Sequence, residues 1–407
     1  MFKNIISFGI YLIIFSLPLY LLKVELWWVP FTLLELMIYG VFIVWFFSKI
    51  KKHKVSGFRF QVSGYKYPIL LIFIGLTIST LFSADIQISA GIWKGWFLAP
   101  LLFFIVFINK IKTAEQIKTT LISLTLSGFL LALIGLWYWF LGDLTYDGRL
   151  KAFYLSPNHL AMYLAPILIL SFGLWGFIKN KWQRIVLFII YFSILIAIYL
   201  TYSYGAWLGL IGAGVFMLIV KYLSTRRLIV FILLLIFLIF FQLQTPKAQN
   251  LFNFSRSSLE SRLMIWRAAM EIIKDHSLIG IGPGVFQKYY LEYQPKFEPY
   301  LEWASPQPHN IFLAFWLQTG LIGLIGFIWL LIQFFKISFR QLLVTRYSLL
   351  ITGSMIYILI HGLVDTTYWK NDLSIIFWLI IALSCIVSRL SYSQKTNNLL
   401  EEREVAD

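Results

Sequence analysis

The sequence predicts an all-α fold: a polytopic transmembrane helix bundle of about 12 spans, with one large extracytoplasmic loop between spans 9 and 10. Two features of the composition predict it. Hydrophobic residues make up 60% of the 407 positions and charged residues only 13%, whereas soluble domains carry about 25% charged residues. At ~20 apolar residues per span, twelve helices take up about 240 residues, which agrees with this hydrophobic content. The composition excludes soluble enzymes, secreted disulfide scaffolds and nucleic-acid binders.

Apolar runs separated by charged or turn-forming residues predict where the spans lie. Residues 1–243 carry spans 1 to 9, residues 244–310 form the loop, residues 311–390 carry spans 10 to 12, and residues 391–407 form a polar cytoplasmic tail, predicted to be disordered on composition. The predicted spans are 5–22, 27–48, 67–82, 93–109, 119–141, 158–178, 184–200, 203–220, 227–243, 311–335, 346–363 and 372–390.

The positive charges predict the orientation of the chain. With the N-terminus in the cytoplasm, the inner loops hold clusters such as Lys49–Lys54 and Lys110–Lys118. The short outer loops then hold only five cations, which are Lys23, Lys94, Arg149, Lys151 and Lys370. The positive-inside rule therefore places both termini in the cytoplasm and the long loop outside, in a multi-pass protein of the inner membrane. Most of the net charge of +16 follows from this topology and from contact with anionic lipids, in preference to a polyanionic partner.

The 244–310 loop is the segment expected to carry function, because ordered loops of this length are usually functional. Its apolar residues recur at spacings of three and four and predict one amphipathic helix on the membrane surface or the bundle top; they are Leu259, Leu263, Trp266, Met270 and Ile273. Cations surround this helix, namely Arg256, Arg262, Arg267 and Lys274. A glycine-rich run from Gly280 to Gly284 ends it.

His309 lies where this loop returns to the membrane, between Pro308 and Asn310. Histidine exchanges a proton near neutral pH, so an imidazole at this boundary is a candidate general base for a hydroxyl nucleophile. The alternative is an interfacial histidine that hydrogen-bonds a helix end. Arg262 shares a helix face with Trp266, which suits recognition of a lipid-linked phosphate, although a solvated helix face explains the same residues.

Further polar residues flank the outer ends of other predicted spans. Arg149 and Asn158 lie on the wall of a polar pocket, or Ser156 or Asn158 simply caps the helix that follows. Tyr204 belongs either to such a pocket or to the aromatic belt. Asp365 lies at the outer end of span 11, where a carboxylate orients a basic residue or binds sugar hydroxyls. Glu35 within span 2 has the plainer interpretation of a hydrogen bond inside the bundle. The spacing of cysteine, histidine and carboxylate residues indicates no metal site, and no nucleotide-binding loop is present.

Taken in order, these positions resemble the O-antigen ligase and O-antigen polymerase family of polytopic membrane glycosyltransferases. The resemblance runs from about Arg149 to the end of span 12 and is specific through the order, spacing and membrane side of its motifs. The motifs are Arg149 with Ser156–Asn158, the turn Ser203–Ala206, Arg262 with Trp266, Gly280–Gly284 with Phe286, His309–Asn310 with Leu313, Gly320 and Gly323, and His361–Gly362 with Asp365.

The resemblance implies transfer of a glycan from a polyprenyl diphosphate carrier to an acceptor hydroxyl on the outer face of the inner membrane, without a metal or other cofactor. It implies that His309 is the catalytic base and that Arg262 binds the donor diphosphate. The family often has an arginine where this chain has Tyr204, so Arg149 and Arg256 are alternative diphosphate ligands. The implied supporting residues are Asn158, Tyr204, Asn310 and Asp365.

The implied partners are the polyprenyl-diphosphate-linked glycan, a glycan or lipid acceptor such as lipid A core, and membrane lipids, with no nucleic acid. Two other functions fit the sequence in part. A polymerase of the same superfamily needs the same donor site and differs in its acceptor. A transporter with twelve helices fits less well, because half-chain symmetry and paired midplane charges are not evident.

Overall fold

In the part of the chain that the structure describes, the fold is an all-α bundle with one short β-hairpin. The computed structural model describes residues 2–26, 29–50, 64–221, 258–298, 302–342 and 345–406. The α-helices are α1 Phe2–Phe15, α2 Leu33–Ile50, α3 Lys66–Leu81, α4 Ile86–Ile92, α5 Ala99–Lys110, α6 Ala114–Phe140, α7 Pro157–Ser171, α8 Lys181–Leu200, α9 Tyr204–Lys221, α10 Ser258–His276, α11 Phe286–Tyr293, α12 Ile311–Arg340, α13 Arg346–Gly362 and α14 Asn371–Ala406. The strands are β1 Lys23–Leu26 and β2 Val29–Thr32, and a π-helix, Trp93–Leu98, joins α4 to α5.

Seven helical stretches among the described residues are long and apolar enough to cross a membrane, and four shorter apolar helices accompany them. The chain is thus an all-α polytopic membrane protein, as its composition predicts. The eleven stretches coincide with eleven of the predicted spans. Predicted span 9, residues 227–243, lies outside the described residues, so the count of twelve remains a prediction.

The N-terminal region differs from the predicted spans. Helix α1 ends at Phe15 instead of continuing to residue 22, and α2 begins at Leu33 instead of residue 27. The antiparallel hairpin of β1 and β2 lies between them. Two prolines explain the difference: Pro18 disfavours helical geometry at the residue before it, and Pro30 has no N–H to donate within a helix.

The C-terminal tail also differs from its prediction. Helix α14 continues to Ala406, so the segment predicted to be disordered is helical as far as the structure describes it. Neither glycine nor proline follows Asn371, and the tail contains a run of good helix formers, Leu399–Glu404.

Glu35 makes hydrogen bonds inside the bundle, as its plainer interpretation predicts. Its carboxylate lies 2.7 Å from Lys94 Nζ and accepts a hydrogen bond of 2.9 Å from Asn371 Nδ2. The residue is buried, and both carboxylate oxygens have partners within the bundle. Glu35 therefore joins the starts of α2 and α14 to the π-helix.

Helices α10 and α11 form a small subdomain around a second hydrophobic core, which they share with Leu317 of α12. The buried face of α10 differs from the predicted one, since Leu263 and Met270 are 42% and 43% exposed. Its buried residues are Met264, Ile265, Ala268, Ala269, Ile272 and Ile273. Two of these are alanines, which a pattern of large hydrophobic residues does not reveal.

A kink in α12 attaches this subdomain to the bundle. Gly320 has φ 67° and ψ −178°, which breaks the hydrogen bond that Leu321 N–H would donate to Leu317 within a regular helix. Leu321 N–H instead donates to the Leu278 carbonyl at 3.1 Å, and Ile281 N–H donates to the Leu317 carbonyl at 2.6 Å. The segment between α10 and α11 thus satisfies both halves of the broken bond, as buried backbone groups require.

We expect Gly320→Ala to destabilise the protein. A Cβ at this position would collide with the Leu278 carbonyl oxygen, and alanine rarely adopts a positive φ. Strain of this kind costs about 1–3 kcal/mol in the free energy of unfolding, which thermal unfolding in detergent would register. Gly91→Ala is the matched control, because this helical glycine has no heavy atom within 4 Å of the added Cβ. Equal midpoints for the two variants would contradict the role of the kink.

Candidate functional site

His309 stands at the N-terminus of α12, held in an unusual backbone conformation. Its φ is +46°, and its carbonyl accepts a hydrogen bond from Trp266 Nε1 at 3.3 Å. The next residue, Asn310, is the N-cap: its Oδ1 accepts from the N–H groups of Phe312 and Leu313. Asn310 Nδ2 also donates to the Leu363 carbonyl at 3.0 Å, so the helix start is fixed to the loop that follows α13.

His309 and Asp365 form a hydrogen-bonded pair, with Nδ1 3.2 Å from Oδ1. The carboxylate is only 5% exposed and the imidazole 31%. Asp365 Oδ1 also accepts from Thr366 N–H at 2.9 Å, while Oδ2 accepts from Asn158 Nδ2 at 2.8 Å. The carboxylate is therefore held at both oxygens and can orient the imidazole, as the acid of a catalytic triad does.

Arg149 extends this network to the end of α8. One guanidinium N–H donates to Asn158 Oδ1 at 2.7 Å, and Nε donates to the Thr201 carbonyl at 2.8 Å. Asn158 thereby bridges Arg149 to Asp365 with both ends of its amide. Four residues separated by as much as 216 positions, Arg149 to Asp365, form one continuous hydrogen-bonded chain.

Charge accumulates around the pair. Burial alone would raise the pKa of Asp365, but attraction to His309, His361 and Arg262 outweighs it and holds this pKa well below its usual range. Burial lowers the pKa of the Arg149 guanidinium, and repulsion from Arg262 lowers it further, against the attraction of Asp147. The two arginines are thus close enough to repel each other beside one carboxylate, an arrangement suited to an anionic ligand.

Tyr204 and Arg262 complete the set of predicted residues that the structure describes. Tyr204 begins α9, interacts electrostatically with Arg149, and has a buried hydroxyl without a hydrogen-bond partner among the described residues. Arg262 is half-buried on α10, one turn before Trp266. The structure therefore brings together Arg149, Asn158, Tyr204, Arg262, His309, Asn310 and Asp365. Arg256 lies outside the described residues.

Sequence reasoning missed a second histidine–carboxylate pair beside the first. His159 Nε2 lies 3.2 Å from Asp372 Oδ1, and Tyr154 donates to Asp372 Oδ2 at 3.0 Å. His159 and Asp372 are both buried. The sequence offered one signal for this pair, which is position. His159 directly follows Asn158, and Asp372 lies at the start of the helix that follows Asp365.

Among the described residues, no group of three or more histidine, cysteine, aspartate or glutamate side chains is placed to hold a metal ion. The predicted site consists instead of a histidine–carboxylate pair, two arginines and supporting amide and phenol groups.

The fold and this site define a class of protein: polytopic, helical, and built around a histidine–aspartate pair next to two arginines at the ends of its helices. Residues 189–328 match the family model described as O-antigen ligase. This part of the chain is a domain of that family, which confirms the resemblance seen in its motifs. The match includes Tyr204, Arg262 and His309, while Arg149 and Asp365 lie beyond its limits. A search of curated proteins found no match to the chain.

We expect Asp365→Asn to alter how stability depends on pH. Because the pKa of Asp365 is lower in the folded protein, its ionised form stabilises the fold fully above the ordinary aspartate pKa of about 3.9. This stabilisation is lost as the pH falls below that value towards the folded pKa. The difference in thermal midpoint between wild type and variant should be near its full size at about pH 5 and shrink below about pH 4.

The control for this measurement is Asp143→Asn, because Asp143 is exposed in the loop after α6. It should leave the pH dependence unchanged. A difference for Asp365→Asn that does not shrink between about pH 5 and about pH 2 would show that the carboxylate is not held in its ionised form.

Proposed function

We propose that this protein is a metal-independent O-antigen ligase-type glycosyltransferase. It moves a glycan from a polyprenyl diphosphate carrier to an acceptor hydroxyl, on lipid A core or another surface acceptor, at the outer face of the inner membrane. The observation that carries the proposal is the hydrogen bond from His309 to the buried Asp365 carboxylate beside Arg149 and Arg262. The family match at residues 189–328 supports the ligase or polymerase class.

His309 acts as the general base in this proposal. With Nδ1–H donating to Asp365, Nε2 carries a lone pair that accepts the proton of the acceptor hydroxyl. The acceptor oxygen forms a bond to the anomeric carbon of the donor while the bond from that carbon to the diphosphate oxygen breaks. The diphosphate leaves with the electron pair, and the acceptor proton passes to the imidazole.

The arginines stabilise the leaving group. Negative charge grows on the bridging oxygen as the glycosidic bond breaks, and fixed guanidinium groups stabilise it without reorganisation. Arg262 is the proposed principal ligand of the diphosphate, with Arg149 and Arg256 as further ligands. Arg149 is already fixed by Asn158 and the Thr201 carbonyl, so it is ordered before the donor arrives. No metal or other cofactor is required, because the diphosphate is itself an activated leaving group.

The supporting residues have distinct parts in this proposal. Asn158 hydrogen-bonds both Asp365 and Arg149 and so fixes their relative position. Asn310 caps the helix that begins directly after His309 and so fixes the position of the imidazole. The Tyr204 phenol replaces a cation with a neutral hydrogen-bond donor. Membrane orientation follows the distribution of lysine and arginine, with both termini in the cytoplasm and residues 244–310 outside.

A polymerase that joins one lipid-linked glycan to another remains the second candidate, because the same donor site serves both reactions. Purified protein given only the polyprenyl-diphosphate glycan separates the two. A ligase leaves the glycan length unchanged until a lipid acceptor is supplied, whereas a polymerase lengthens the glycan without one. Lengthening of the glycan in the absence of the lipid acceptor would overturn the ligase assignment. It would leave unchanged the proposed transfer of a glycan from the polyprenyl diphosphate carrier.

We expect His309→Ala to lower the turnover number about 10²–10⁴-fold, the usual contribution of a general base. The side chain is part-exposed at a loop-to-helix junction, so the variant should still fold and bind donor. His309→Gln preserves hydrogen bonding but cannot take up the proton, and it should be equally impaired. Turnover with a defined polyprenyl-diphosphate glycan is the measurement. Full transfer by the glutamine variant would make His309 an orienting residue.

We expect Arg262→Ala to impair donor binding and turnover more than Arg262→Lys does. Lysine keeps the positive charge but loses the two-pronged geometry that guanidinium offers a diphosphate. Arg267→Ala is the matched control, because Arg267 is exposed on the same helix. Donor titration of the three variants measures the effect. Wild-type KM and turnover in both Arg262 variants would assign this arginine to a solvated helix face.

A further inference from the structure

The turn between α10 and the glycine-rich segment carries two exposed apolar residues. Leu278 is 69% exposed and Ile279 is 40% exposed. They lie at the tip of the turn, because Gly280 reverses the chain with φ +78° and donates its N–H to the His276 carbonyl. Adjacent large aliphatic side chains exposed at a loop tip are typical of a surface that contacts a membrane or another protein when they form part of a larger apolar patch.

The hydrogen bonds to α12 give the depth of this tip. Trp266 bonds the His309 carbonyl, Trp316 Nε1 donates to the Ser277 carbonyl at 2.9 Å, and Leu321 N–H donates to the Leu278 carbonyl at 3.1 Å. Helix α10 therefore descends beside α12, from the level of His309 towards the cytoplasmic side. The tip lies at the level of Leu321, which follows Asn310 by eleven residues. At the helical rise this is a depth of about 16 Å below Asn310.

The length of α12 locates the membrane boundary. Lys336 and Arg340 mark its inner end, and Gly64, two residues before Lys66, packs beside Gln333 at that end. A hydrocarbon core of ~30 Å corresponds to about 20 helical residues, which places its outer edge near Trp316. Tryptophan favours this interface. The Leu278 backbone, at the level of Leu321, lies about 7 Å below that edge.

Side chains near this boundary agree with it. Lys274 and Asp275, four and three residues before Leu278, lie within about 3 Å of the edge, in the interfacial zone, and are exposed and charged. Below it, the exposed apolar surface of α12 continues directly from the tip; these residues are Ile322, Ile325 and Ile332. The tip is thus continuous with the lipid-facing surface of a membrane span.

We propose that the Leu278–Ile279 turn inserts into the acyl-chain region of the outer leaflet. The external subdomain would then be anchored in the bilayer beside α12, with bulk phospholipid acyl chains as the partner. This inference depends on the depth of α12 and not on the chemistry of His309, so it stands or fails separately from the proposed function.

Depth-dependent quenching tests the proposal on the full chain. In a Cys385→Ser background, Leu278→Cys carries an environment-sensitive fluorophore in nanodiscs of phosphatidylethanolamine and phosphatidylglycerol. Leu263→Cys is the matched control, because Leu263 is exposed on the same helix about 22 Å above the tip. We expect iodide quenching of the tip label to be several-fold weaker than that of the control. Quenching by acyl-chain doxyl lipids should be several-fold stronger.

Equal iodide access at the two positions would overturn the proposal. Self-quenching of the tip label that grows with protein density would also overturn it, because the tip would then contact a second copy of the chain. Ile279→Cys gives an independent measurement if the first variant folds poorly. A buried, iodide-shielded label without doxyl quenching would place the tip against protein and contradict lipid contact.

Discussion

The buried carboxylate of Asp365 is the constraint on which the site depends. A charge in the interior is tolerated only when hydrogen bonds and opposite charge compensate for its lost hydration. Asp365 meets this requirement with His309 from the start of α12, Asn158 from the start of α7, and the backbone of its own loop. Because each partner comes from a different part of the bundle, satisfying one carboxylate brings those helix ends together. The position of the imidazole follows from this packing.

The second pair, His159 with Asp372, strengthens the same junction from within. Asn158 and His159 are neighbours on α7. The partner of Asn158, Asp365, lies in the connection between α13 and α14, and the partner of His159, Asp372, lies at the start of α14. His159 and Asp372 are both buried, and removing one partner of a buried pair typically costs about 3–5 kcal/mol, so this second pair holds α7 against α14. In the proposed function, this fixed junction would help to hold the His309 imidazole within hydrogen-bonding reach of the acceptor hydroxyl.

Composition and apolar runs predicted the helical bundle and the approximate place of eleven apolar helical stretches among the described residues, since hydrophobic length is a strong signal. The β-hairpin was missed because Pro30 lies inside an otherwise apolar run, and the helical tail because polar composition indicates exposure, not the absence of helix. Motifs selected single candidate site residues such as Arg149, Asn158 and His309. The hydrogen bonds among them could not be predicted, because Arg149 and Asp365 are joined through Asn158 only after folding. The pair of His159 and Asp372 carries no motif at all.

The broken hydrogen bond at Gly320 bears on how the molecule can be divided. The core of the α10–α11 subdomain includes Leu317, which belongs to α12, and the turn at Leu278 completes a backbone bond of that helix. Neither part satisfies its buried groups alone. Residues 258–298 are therefore an inserted piece of the bundle and not a separable module, so a fragment excised at these residues lacks part of its own core. Exchange of this segment between related proteins requires exchange of the first half of α12, as far as Gly320, with it.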